Sequence, residues 1–447
     1  MNIPQSPPEL MDLVRKVSPP ERFLEILGTG RPLVRGKYLH WDELRHRRPP
    51  KDLTLDEWWL VTKSARSTSR EELPLLQESG SPFYFVYVAP MRQHLHEIDQ
   101  SFGIGHMPAV TPPGLDAHGR KHFLASSLME EAIRSSQLEG ASTTRARAKE
   151  MIRGNKPPRN KSDRMILNNF HAMERIESLA EEPLTPEVVF ELHSILAEGT
   201  LDDPAKAGVF RTEADEVVVE LFNSVETAHV PPPASQLPTR LDLLIEFANG
   251  DSIQDWLHPV LRAVILHFMV GYDHPFVDGN GRVARALFYW AMIRHGYPQV
   301  KYLSISQILR EAPAKYQRAY LLTETDDGDQ TYFILHQLVV LIRSIRSLEE
   351  YVQRKLHRAR DIEKRLKGVP SLNHRELALL SHALRHPGQA YSVRSHQSSH
   401  RVVANTARSD LEHLADQGLL LRSKQGRAHS YVAPSDLEER ISALPAA

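Results

Sequence analysis

The chain has 447 residues, more than one typical domain, so two or three domains are expected. It contains no cysteine, which excludes disulfide bonds and thiolate metal sites and favours a cytoplasmic location. The net charge of -1 excludes a global field that would draw the whole protein to nucleic acid or a membrane, so any basic patch must be local. We find no apolar run of membrane-spanning length and no secretory signal, so no membrane partner is expected.

Residues 1–110 predict a region of mixed helix and strand to which the sequence assigns no chemistry. A short helix is expected at 54–60, and the aromatic and β-branched run 83–88 predicts a strand or a buried extended segment. Packing explains the aromatic rings of this run better than a ligand site does. We interpret the region as a cap on the domain that follows, residues 111–345.

The segment 121–140 predicts a helix that is stopped by Gly140, because its apolar residues recur at helical spacing. Ser135 and Glu139 are four positions apart and therefore lie side by side on this helix. From residue types alone, this end of the helix is a solvated polar surface.

After a helix predicted to start at Pro186, the period changes to that of short strands. Residues 208–211 and 216–219, joined by a polar turn at 212–215, predict a β-hairpin. The residues assigned to its strands are Val209, Phe210, Arg211, Glu216, Val217, Val218 and Val219. An edge hairpin that merely shields the core is the alternative interpretation.

The densest cluster of reactive side chains lies between His274 and Arg285. Upstream apolar residues at helical spacing, followed by Pro275, predict a buried helix that ends at His274. Downstream, residues 283–293 are apolar on nearly every side and predict a second buried helix, stopped near Gly296. The cluster therefore lies in a loop between two buried helices.

This loop offers the groups that bind phosphate. Gly279 and Gly281 allow the backbone to curl so that amide groups point inward, and the start of the second helix adds its positive dipole end. Arg282 and Arg285, three positions apart, share a face and can fork onto phosphate oxygens. The loop therefore predicts an anion cradle.

Two further side chains give the loop its reactivity. Asp278 fits beside bound phosphates when a divalent metal lies between them, because magnesium is usually held by one or two carboxylates and phosphate oxygens. His274 is suited to take a proton from a hydroxyl group near neutral pH. Together they predict transfer of a phosphorus-containing group to an alcohol. The alternative without chemistry is a Gly-Asn-Gly turn with a capping aspartate and surface arginines.

The stretch resembles the signature of the Fic family, His-x-Phe-x-Asp/Glu-Gly-Asn-Gly-Arg-x-x-Arg, with every fixed position filled. Most members transfer AMP from ATP to a hydroxyl side chain of a protein and release pyrophosphate. The resemblance implies a mainly α, helical Fic fold with a β-hairpin flap, and a nucleotidyltransferase that uses ATP with Mg²⁺ or Mn²⁺. By position it implies that His274 is the general base, Asp278 the metal ligand, Gly279, Asn280 and Gly281 the anion hole, and Arg282 and Arg285 the phosphate contacts.

The segment that contains Ser135, Glu139 and Gly140 is similar to the inhibitory Ser/Thr-x-x-x-Glu-Gly/Asn motif of the same family. Its position ahead of the signature is the arrangement called class II. The resemblance implies that Glu139 pairs with Arg285, which should hold the γ-phosphate, so that ATP binds only in an unproductive pose. In some relatives the same glutamate helps a water molecule remove AMP, so the reverse reaction stays open.

The resemblance also gives roles to the hairpin and to Tyr316. In Fic proteins a hairpin flap pairs with the target's backbone and covers the nucleotide, and we assign Val217 and Val218 as nucleotide contacts. Tyr316 matches a position where relatives often have a tyrosine near the adenine or ribose, whereas Gln317 replaces a second tyrosine sometimes found there. Stacking on the nucleotide and burial in the core are both open for Tyr316.

The end of the chain predicts a separate domain. One or two helices are expected at 331–366, and residues 346–370 are assigned as a helical linker between domains. Residues 371–447 look like a small winged helix-turn-helix. An apolar stripe at helical spacing predicts the recognition helix, and 419–422 with 429–432 predict a wing. The stripe consists of Val403, Ala407, Leu411 and Leu414.

This segment is locally basic, with seven Arg or Lys residues and three acidic residues between positions 385 and 431. The side chains assigned to phosphate or base contacts are Arg401, Asn405 and Arg408 on the recognition helix and Lys424 and Arg427 on the wing. Similar domains follow the catalytic domain in many bacterial Fic proteins. Winged helices also serve as protein-docking and dimer modules, so DNA, a protein and a second copy of the chain are all candidate partners.

Three hypotheses follow. The first is an AMP transferase, inhibited by Glu139, that acts on a hydroxyl-bearing protein docked at the flap or on itself. The second is a DNA-binding transcriptional regulator whose Fic domain senses nucleotide. The third is a Fic transferase with another donor chemistry, such as UMP, phosphocholine or phosphate transfer.

Overall fold

The computed structural model describes residues 2–102, 117–250, 256–367, 369–385, 389–425, 428–434 and 436–444. These residues form two compact units, one of 2–102 with 124–346 and one of 117–123 with 347–444. Most described residues are helical, and the strands form three small antiparallel sheets. Within these ranges no helix is long and apolar enough to cross a membrane.

The N-terminal part of the first unit is mixed, as predicted. Its elements are α1 (Leu10–Lys16), α2 (Pro20–Leu27), α3 (Trp41–Leu44), α4 (Leu55–Ser67), β1 (Arg70–Leu76), β2 (Pro82–Val86) and α5 (Ala89–Phe102). A capping box starts α4, because the Thr54 hydroxyl accepts from Glu57 N–H while the Glu57 carboxylate accepts from Thr54 N–H. Helix α4 runs further than the predicted helix at 54–60. The run predicted as strand or extended chain is a strand, since β2 pairs with β1.

A buried network of charges joins α4 to a distant part of the same unit. Lys63 Nζ pairs with Asp326 and also lies 3.1 Å from Asp327 Oδ2. Arg66 donates to the Tyr332 hydroxyl at 2.8 Å, and Tyr332 donates to Asp326 Oδ2 at 2.7 Å. Arg66 and Asp326 are both fully buried, so these contacts replace the water that the two charges lose on folding.

Most described residues between 117 and 367 are helical. Its helices are α6 (Ala117–Leu138), α7 (Arg145–Arg153), α8 (Lys161–Ser178), α9 (Pro186–Ala197), α10 (Leu237–Asn249), α11 (Pro259–Asp273), α12 (Asn280–Arg294), α13 (Ile305–Glu311), α14 (Pro313–Glu324) and α15 (Thr331–Lys367). Helices α11 and α12 are the two predicted on either side of the reactive loop, and nearly every residue of both is buried. The loop is therefore held between two rigid, packed elements.

The hairpin lies later in the chain than predicted. Residues 208–211 and 216–219 do not pair with each other; the strands are β3 (Val219–Glu220) and β4 (Thr227–His229). Val209, Phe210, Arg211, Glu216, Val217 and Val218 lie outside these strands, and of the seven assigned residues Val219 alone belongs to one.

The backbone donors of the first predicted strand are used elsewhere, which explains the correction. Gly208 N–H donates to His193 Nδ1 at 2.9 Å, and Arg211 N–H donates to Pro275 O at 2.9 Å. The segment predicted as a polar turn, 212–215, contains a 3₁₀ helix, Glu213–Asp215. Residues 208–211 therefore pack against the helical domain instead of forming a free hairpin.

The second unit contains a small sheet and short helices. After α15, which is one helix of 37 residues, its elements are α16 (His374–Arg385), β5 (Ala390–Tyr391), α17 (Val393–His400), α18 (Ala404–Asp416), β6 (Leu421–Gln425), β7 (Ala428–Val432) and α19 (Leu437–Ala443). The strands form an antiparallel sheet in the order β5-β7-β6. Ala407, Leu411 and Leu414 are fully buried on α18. Val403 was wrongly assigned to this stripe, because it precedes the helix and is 68% exposed.

Two of the predicted nucleic-acid contacts, Asn405 and Arg408, are exposed on α18. Arg401 was also predicted on this helix, and that prediction is wrong. It lies in the turn after α17, in a left-handed conformation with φ 52°. Lys424 belongs to β6, and Arg427 lies outside the described residues.

Candidate active site

His274 follows the last residue of α11, and one of its two ring nitrogens forms a hydrogen bond to the backbone. Its Nδ1–H donates to Gly271 O at 3.1 Å, so the neutral ring carries its lone pair on Nε2. Burial lowers the pKa of His274 to about 4, which keeps the ring neutral at physiological pH. The residue has φ 46°, a left-handed conformation that is unusual outside glycine and that turns the chain sharply into the loop.

Arg211 stabilises this turn through hydrogen bonds to backbone carbonyl groups. Its Nε donates to His274 O at 2.7 Å, and its Nη2 donates to Pro232 O at 2.5 Å and to Asp273 O at 3.3 Å. The carbonyl groups of Asp273 and His274 lie at the end of α11, where a helix terminus leaves them without partners, whereas Pro232 belongs to the segment before α10. Arg211 was predicted as a flap residue, and the structure places it instead as a buried support of His274.

The loop is closed by Asn280, which was predicted in the anion hole. Its Oδ1 accepts from Phe276 N–H at 2.9 Å, its Nδ2 donates to Phe276 O at 2.8 Å, and the residue is buried. The amide side chain is therefore occupied within the loop, and the backbone N–H is what this residue can offer to an anion.

His193 on α9 is a loop support that the sequence did not reveal. Its ring stacks on Phe276 at 3.7 Å between centroids, and its Nε2–H donates to Asp278 O at 3.0 Å. Its Nδ1 accepts from Gly208 N–H, so both ring nitrogens are occupied and the ring is neutral. Burial lowers the pKa of His193 to about 4, which agrees with this assignment.

The two glycines have different reasons to be glycine. Gly279 has φ +88°, a conformation that side chains disfavour. Gly281 is ordinary helix, but a β-carbon there would overlap Glu139 Oε1 and lie 3.1 Å from Arg285 Nη1. The Glu139 carboxylate thus lies directly against the first turn of α12.

Glu139 and Ser135 together hold Arg285. Arg285 Nη2 donates to Glu139 Oε1 at 2.8 Å and to Ser135 O at 3.2 Å, and Nε donates to the Ser135 hydroxyl at 2.9 Å. The guanidinium is buried, whereas the Glu139 side chain is 27% exposed. Gly140 follows with φ +90°, which ends the helix as predicted.

Arg282 is buried but only partly satisfied. Its Nη1 donates to Leu196 O at 2.9 Å, whereas Nε and Nη2 have no hydrogen-bond partner among the described residues. Nη2 lies 3.5 Å from Asp278 Oδ2. Buried donors without partners are rare, so these atoms point to an anionic ligand.

Asp278 is the open carboxylate of the loop, with its side chain 49% exposed. In the part of the chain that the structure describes, no group of three or more His, Cys, Asp or Glu residues could hold a metal ion. One exposed carboxylate beside an anion cradle still fits a magnesium ion that takes most of its ligands from phosphate and water.

Tyr316 is half-buried on α14, and its hydroxyl lies 2.7 Å from His267 Nε2. Burial raises the pKa of Tyr316 and lowers that of His267, so both are neutral. Of the two residues assigned to the nucleotide from the hairpin, Val218 is 47% exposed and Val217 is half-buried.

Glu131 is a second residue that sequence reasoning missed. This buried carboxylate accepts from the hydroxyl groups of Ser304 (2.7 Å) and Ser306 (2.5 Å), which tie α6 to the start of α13. It could have been found, because Glu131, Ser135 and Glu139 recur every four residues and form one polar stripe along the end of α6 and the turn that follows it.

Comparison with known proteins identifies the domain that holds this loop. The Fic/DOC family model matches residues 183–292. Over 132 residues the chain is 31% identical to the protein adenylyltransferase Fic of Drosophila erecta, which covers 30% of this chain and 23% of that protein. The protein of the same name from Drosophila virilis is 32% identical over 132 residues, covering 30% and 24%. The chain therefore spans about a quarter of the length of these curated relatives.

The fold has a solved counterpart. A Fic family protein from Desulfovibrio desulfuricans aligns with a TM-score of 0.52 at 18% identity, covering 78% of this chain and 98% of that one. The predicted fold class is confirmed: the architecture is mainly α and is the Fic fold. The family model and the similar sequences agree on this part of the chain, and we conclude that residues 183–292 form a Fic/DOC family domain.

Proposed function

We propose that this chain is a protein adenylyltransferase that transfers AMP from ATP to a Ser, Thr or Tyr hydroxyl of a protein, and that Glu139 inhibits it. One observation carries the proposal: the Glu139 carboxylate lies against Gly281 at the start of α12 and pairs with Arg285. Donors that hold a carboxylate so closely can equally bind nucleotide phosphates. The similarity to proteins named adenylyltransferases supports ATP as the donor.

The proton transfer falls to His274. Its Nε2 accepts the hydroxyl proton while the hydroxyl oxygen attacks the α-phosphorus of ATP. The new bond joins that oxygen to phosphorus, the bond to the bridging oxygen breaks, and its electron pair leaves with pyrophosphate. The backbone amides of 279–281 and the guanidinium groups of Arg282 and Arg285 stabilise the phosphate charge.

A divalent cation, Mg²⁺ or Mn²⁺, would be held by Asp278. When bound, it would neutralise phosphate charge and orient the phosphates. The Asp278 carboxylate is exposed and lies 3.5 Å from Nη2 of Arg282, one of the proposed phosphate contacts, which supports this assignment.

Inhibition follows from competition for one guanidinium. While Glu139 occupies Arg285 Nη2, the γ-phosphate of ATP finds both this donor atom and the space beside Gly281 taken. Nucleotide can then bind only with its phosphates displaced. The reverse reaction, removal of AMP by water with the help of Glu139, is part of this proposal.

The test uses wild type, Glu139→Gly and Glu139→Gly/His274→Ala with magnesium and α-labelled ATP, scored as label on protein. We expect strong labelling of the chain or of lysate proteins by the single variant, weak labelling by wild type, and none by the double variant. Labelling that persists without His274 would contradict its role as the base.

Alternative donors are tested in the same assay. Label from γ-labelled ATP in place of α-labelled ATP would indicate phosphate transfer, and label from UTP or CDP-choline would indicate the other Fic chemistries. For the reverse reaction, labelled protein freed of ATP is incubated with wild type and with Glu139→Gly, and only wild type should release AMP.

The target is expected to dock beside the hairpin. Strands β3 and β4 form a two-stranded sheet, so an extended segment of the target can add to it as a further strand. Such pairing uses main-chain hydrogen bonds and makes few demands on the target's sequence.

A second candidate function concerns the other unit. Arg394, Arg401 and Arg408 are exposed around α17 and α18 and form no ion pair with an acidic residue in the described part of the chain. Unpaired arginines beside Asn405 suit phosphate and base contacts of DNA.

DNA binding is tested by fluorescence anisotropy with a labelled duplex of mixed sequence at two salt concentrations. Wild type should bind more weakly at higher salt, and Arg401→Ala/Arg408→Ala should bind more weakly than wild type at both. Loss of DNA binding with intact AMP transfer would favour the regulator hypothesis. No binding by wild type would direct attention to a protein partner or a homodimer, measured by analytical ultracentrifugation.

A further inference from the structure

Helix α14 holds the hairpin through one side-chain amide. Gln317 Oε1 accepts from Phe222 N–H at 2.7 Å, and Gln317 Nε2 donates to Glu220 O at 2.6 Å. A single amide thus bonds a donor and an acceptor of the hairpin backbone, as a neighbouring strand would. The side chains of Glu220 and Phe222 take no part in these two bonds.

A second contact lies at the other end of the same helix. Glu324 Oε2 is 2.7 Å from His229 Nδ1 on β4, and His229 Nε2 is 2.7 Å from Tyr272 O. Both ring nitrogens face acceptors, so His229 carries two protons and its charge pairs with Glu324. Burial by itself lowers the pKa of His229, but the Glu324 carboxylate, the Tyr272 carbonyl group and Asp273 together outweigh it and raise the pKa.

The two contacts match the geometry of a helix. Gln317 and Glu324 are seven residues apart, which places them two turns apart on one face and about 10 Å apart along the axis. They grip the hairpin at the end of β3 and in β4. Between these points the hairpin turn is open to solvent, with Val225 91% exposed.

The neighbouring face of α14 faces the candidate active site. Tyr316 hydrogen-bonds to His267 on α11, and a β-carbon at Gly271 would lie 2.5 Å from the Tyr320 hydroxyl. Gly271 O in turn accepts from His274 Nδ1–H. One helix therefore contacts the hairpin on one face and the support of His274 on the adjacent face.

We propose that Gln317 is a positioning residue that sets the hairpin's distance from His274 and thereby the docking of the protein substrate. The kinetic part of this inference rests on the proposed function, whereas the structural part does not. The proposed phosphate contacts lie in the loop and on α12, and Tyr316 keeps its bond to His267, so loss of Gln317 should change acceptor binding and spare nucleotide binding.

The structural part is tested by hydrogen exchange with mass spectrometry on peptides covering 219–229. Gln317→Ala should accelerate exchange of the Phe222 amide by about tenfold, because its acceptor is lost. Gln317→Glu, which has the same shape but cannot donate to Glu220 O, should accelerate exchange in this segment too. Lys315→Ala, an exposed change on the same helix, is the matched control and should leave it unchanged. Equal exchange in all four proteins would overturn the proposal.

The kinetic part uses the Glu139→Gly background, with a tagged full-length His274→Ala copy of the chain as acceptor. Gln317→Ala should raise the KM for this acceptor about fivefold to tenfold and change kcat less than twofold. The Kd of a non-hydrolysable ATP analogue with magnesium should stay within twofold. A fall in kcat or a weaker nucleotide Kd, with KM unchanged, would overturn the proposal.

The two arms separate its failure from that of the proposed function. If the Glu139→Gly enzyme labels no protein, the proposed function is wrong, and hydrogen exchange alone then tests the positioning role of Gln317. If labelling occurs but Gln317→Ala matches the Lys315→Ala control in both the hydrogen-exchange and the kinetic experiment, the positioning role of Gln317 is wrong and the proposed function stands.

Discussion

At the scale of single residues, the site depends on a histidine in an unusual state. His274 combines a left-handed backbone, an Nδ1–H committed to Gly271 and a pKa lowered to about 4 by burial. Each of these favours a neutral ring with Nε2 free. A sequence can identify such a histidine by its neighbours, but its tautomer depends on a carbonyl placed by folding.

The lowered pKa of His274 gives a testable pH dependence. A base with a pKa of about 4 is neutral above pH 5, so kcat/KM of Glu139→Gly should be flat from pH 8 to pH 5 and fall only below. A pH–rate profile with an excess of magnesium measures this. An inflection near pH 6.5, the ordinary value, would contradict the burial of the free base.

A substitution at Gly281 distinguishes two effects: release of the Glu139 carboxylate and access of ATP to the anion cradle. In Gly281→Ala the new methyl group overlaps the Glu139 carboxylate, so that pair must loosen, but the methyl also occupies the cradle. We therefore expect no gain in AMP transfer, unlike Glu139→Gly. Glu139→Gly/Gly281→Ala should bind ATP at least fivefold more weakly than Glu139→Gly, measured by calorimetry. Equal affinities would show that the phosphates do not approach this turn.

Arg211 should affect stability more than any other residue that was predicted in the flap. Arg211→Leu leaves the carbonyl groups of Pro232, Asp273 and His274 without this donor, a cost of about 3 kcal/mol in the free energy of unfolding. Urea denaturation measures it. Val218→Ala, an exposed change nearby, is the control and should cost less than about 0.5 kcal/mol.

At the scale of elements, helices were predictable and the hairpin was not. The helices around the loop follow from continuous apolar spacing and from Pro275, and both lie where expected. Strands of two or three residues carry too little periodicity to be placed. Residues 208–211 have the composition of a strand, but their backbone donors are used by His193 and Pro275, which are distant in sequence.

The packing of α14 on α11 predicts a sensitive glycine. A β-carbon at Gly271 would lie 2.5 Å from the Tyr320 hydroxyl and 2.8 Å from its ring carbon, so Gly271→Ala must push the two helices apart. The overpacking should cost about 1–3 kcal/mol, read as a lower Tm. Adding Tyr320→Leu should recover part of that loss. A Gly271→Ala protein as stable as wild type would mean that α14 is free to move.

At the scale of the molecule, the first unit is held together by charges that a linear pattern does not reveal. Lys63 and Asp326 are separated by 263 residues, and both are ordinary polar residues in the sequence. The motif that identifies the family lies in the matched segment 183–292, but the proposed inhibitor, Glu139, and the proposed positioning residue, Gln317, lie outside that segment. The family resemblance thus predicted the residues of the reactive loop. The residues that support the loop, such as His193 and Arg211, could be identified only from the folded structure.

The Lys63 network offers a matched pair of changes. Lys63 contacts the fully buried Asp326 and the 72% exposed Asp327. Asp326→Asn should reduce the free energy of unfolding by about 3 kcal/mol, because it leaves Lys63 and Arg66 in a buried site with less compensating charge. Asp327→Asn should change it by less than about 1 kcal/mol. Similar losses in both variants would contradict a stabilising role for the buried pair.

The open turn of the hairpin also provides a means of observation. Because the chain has no cysteine, Val225→Cys would carry its sole thiol, at a side chain that is 91% exposed. A spin label or a fluorophore attached there would report the hairpin alone, without the background that other thiols create. Its mobility before and after addition of nucleotide could then be followed in the full-length protein.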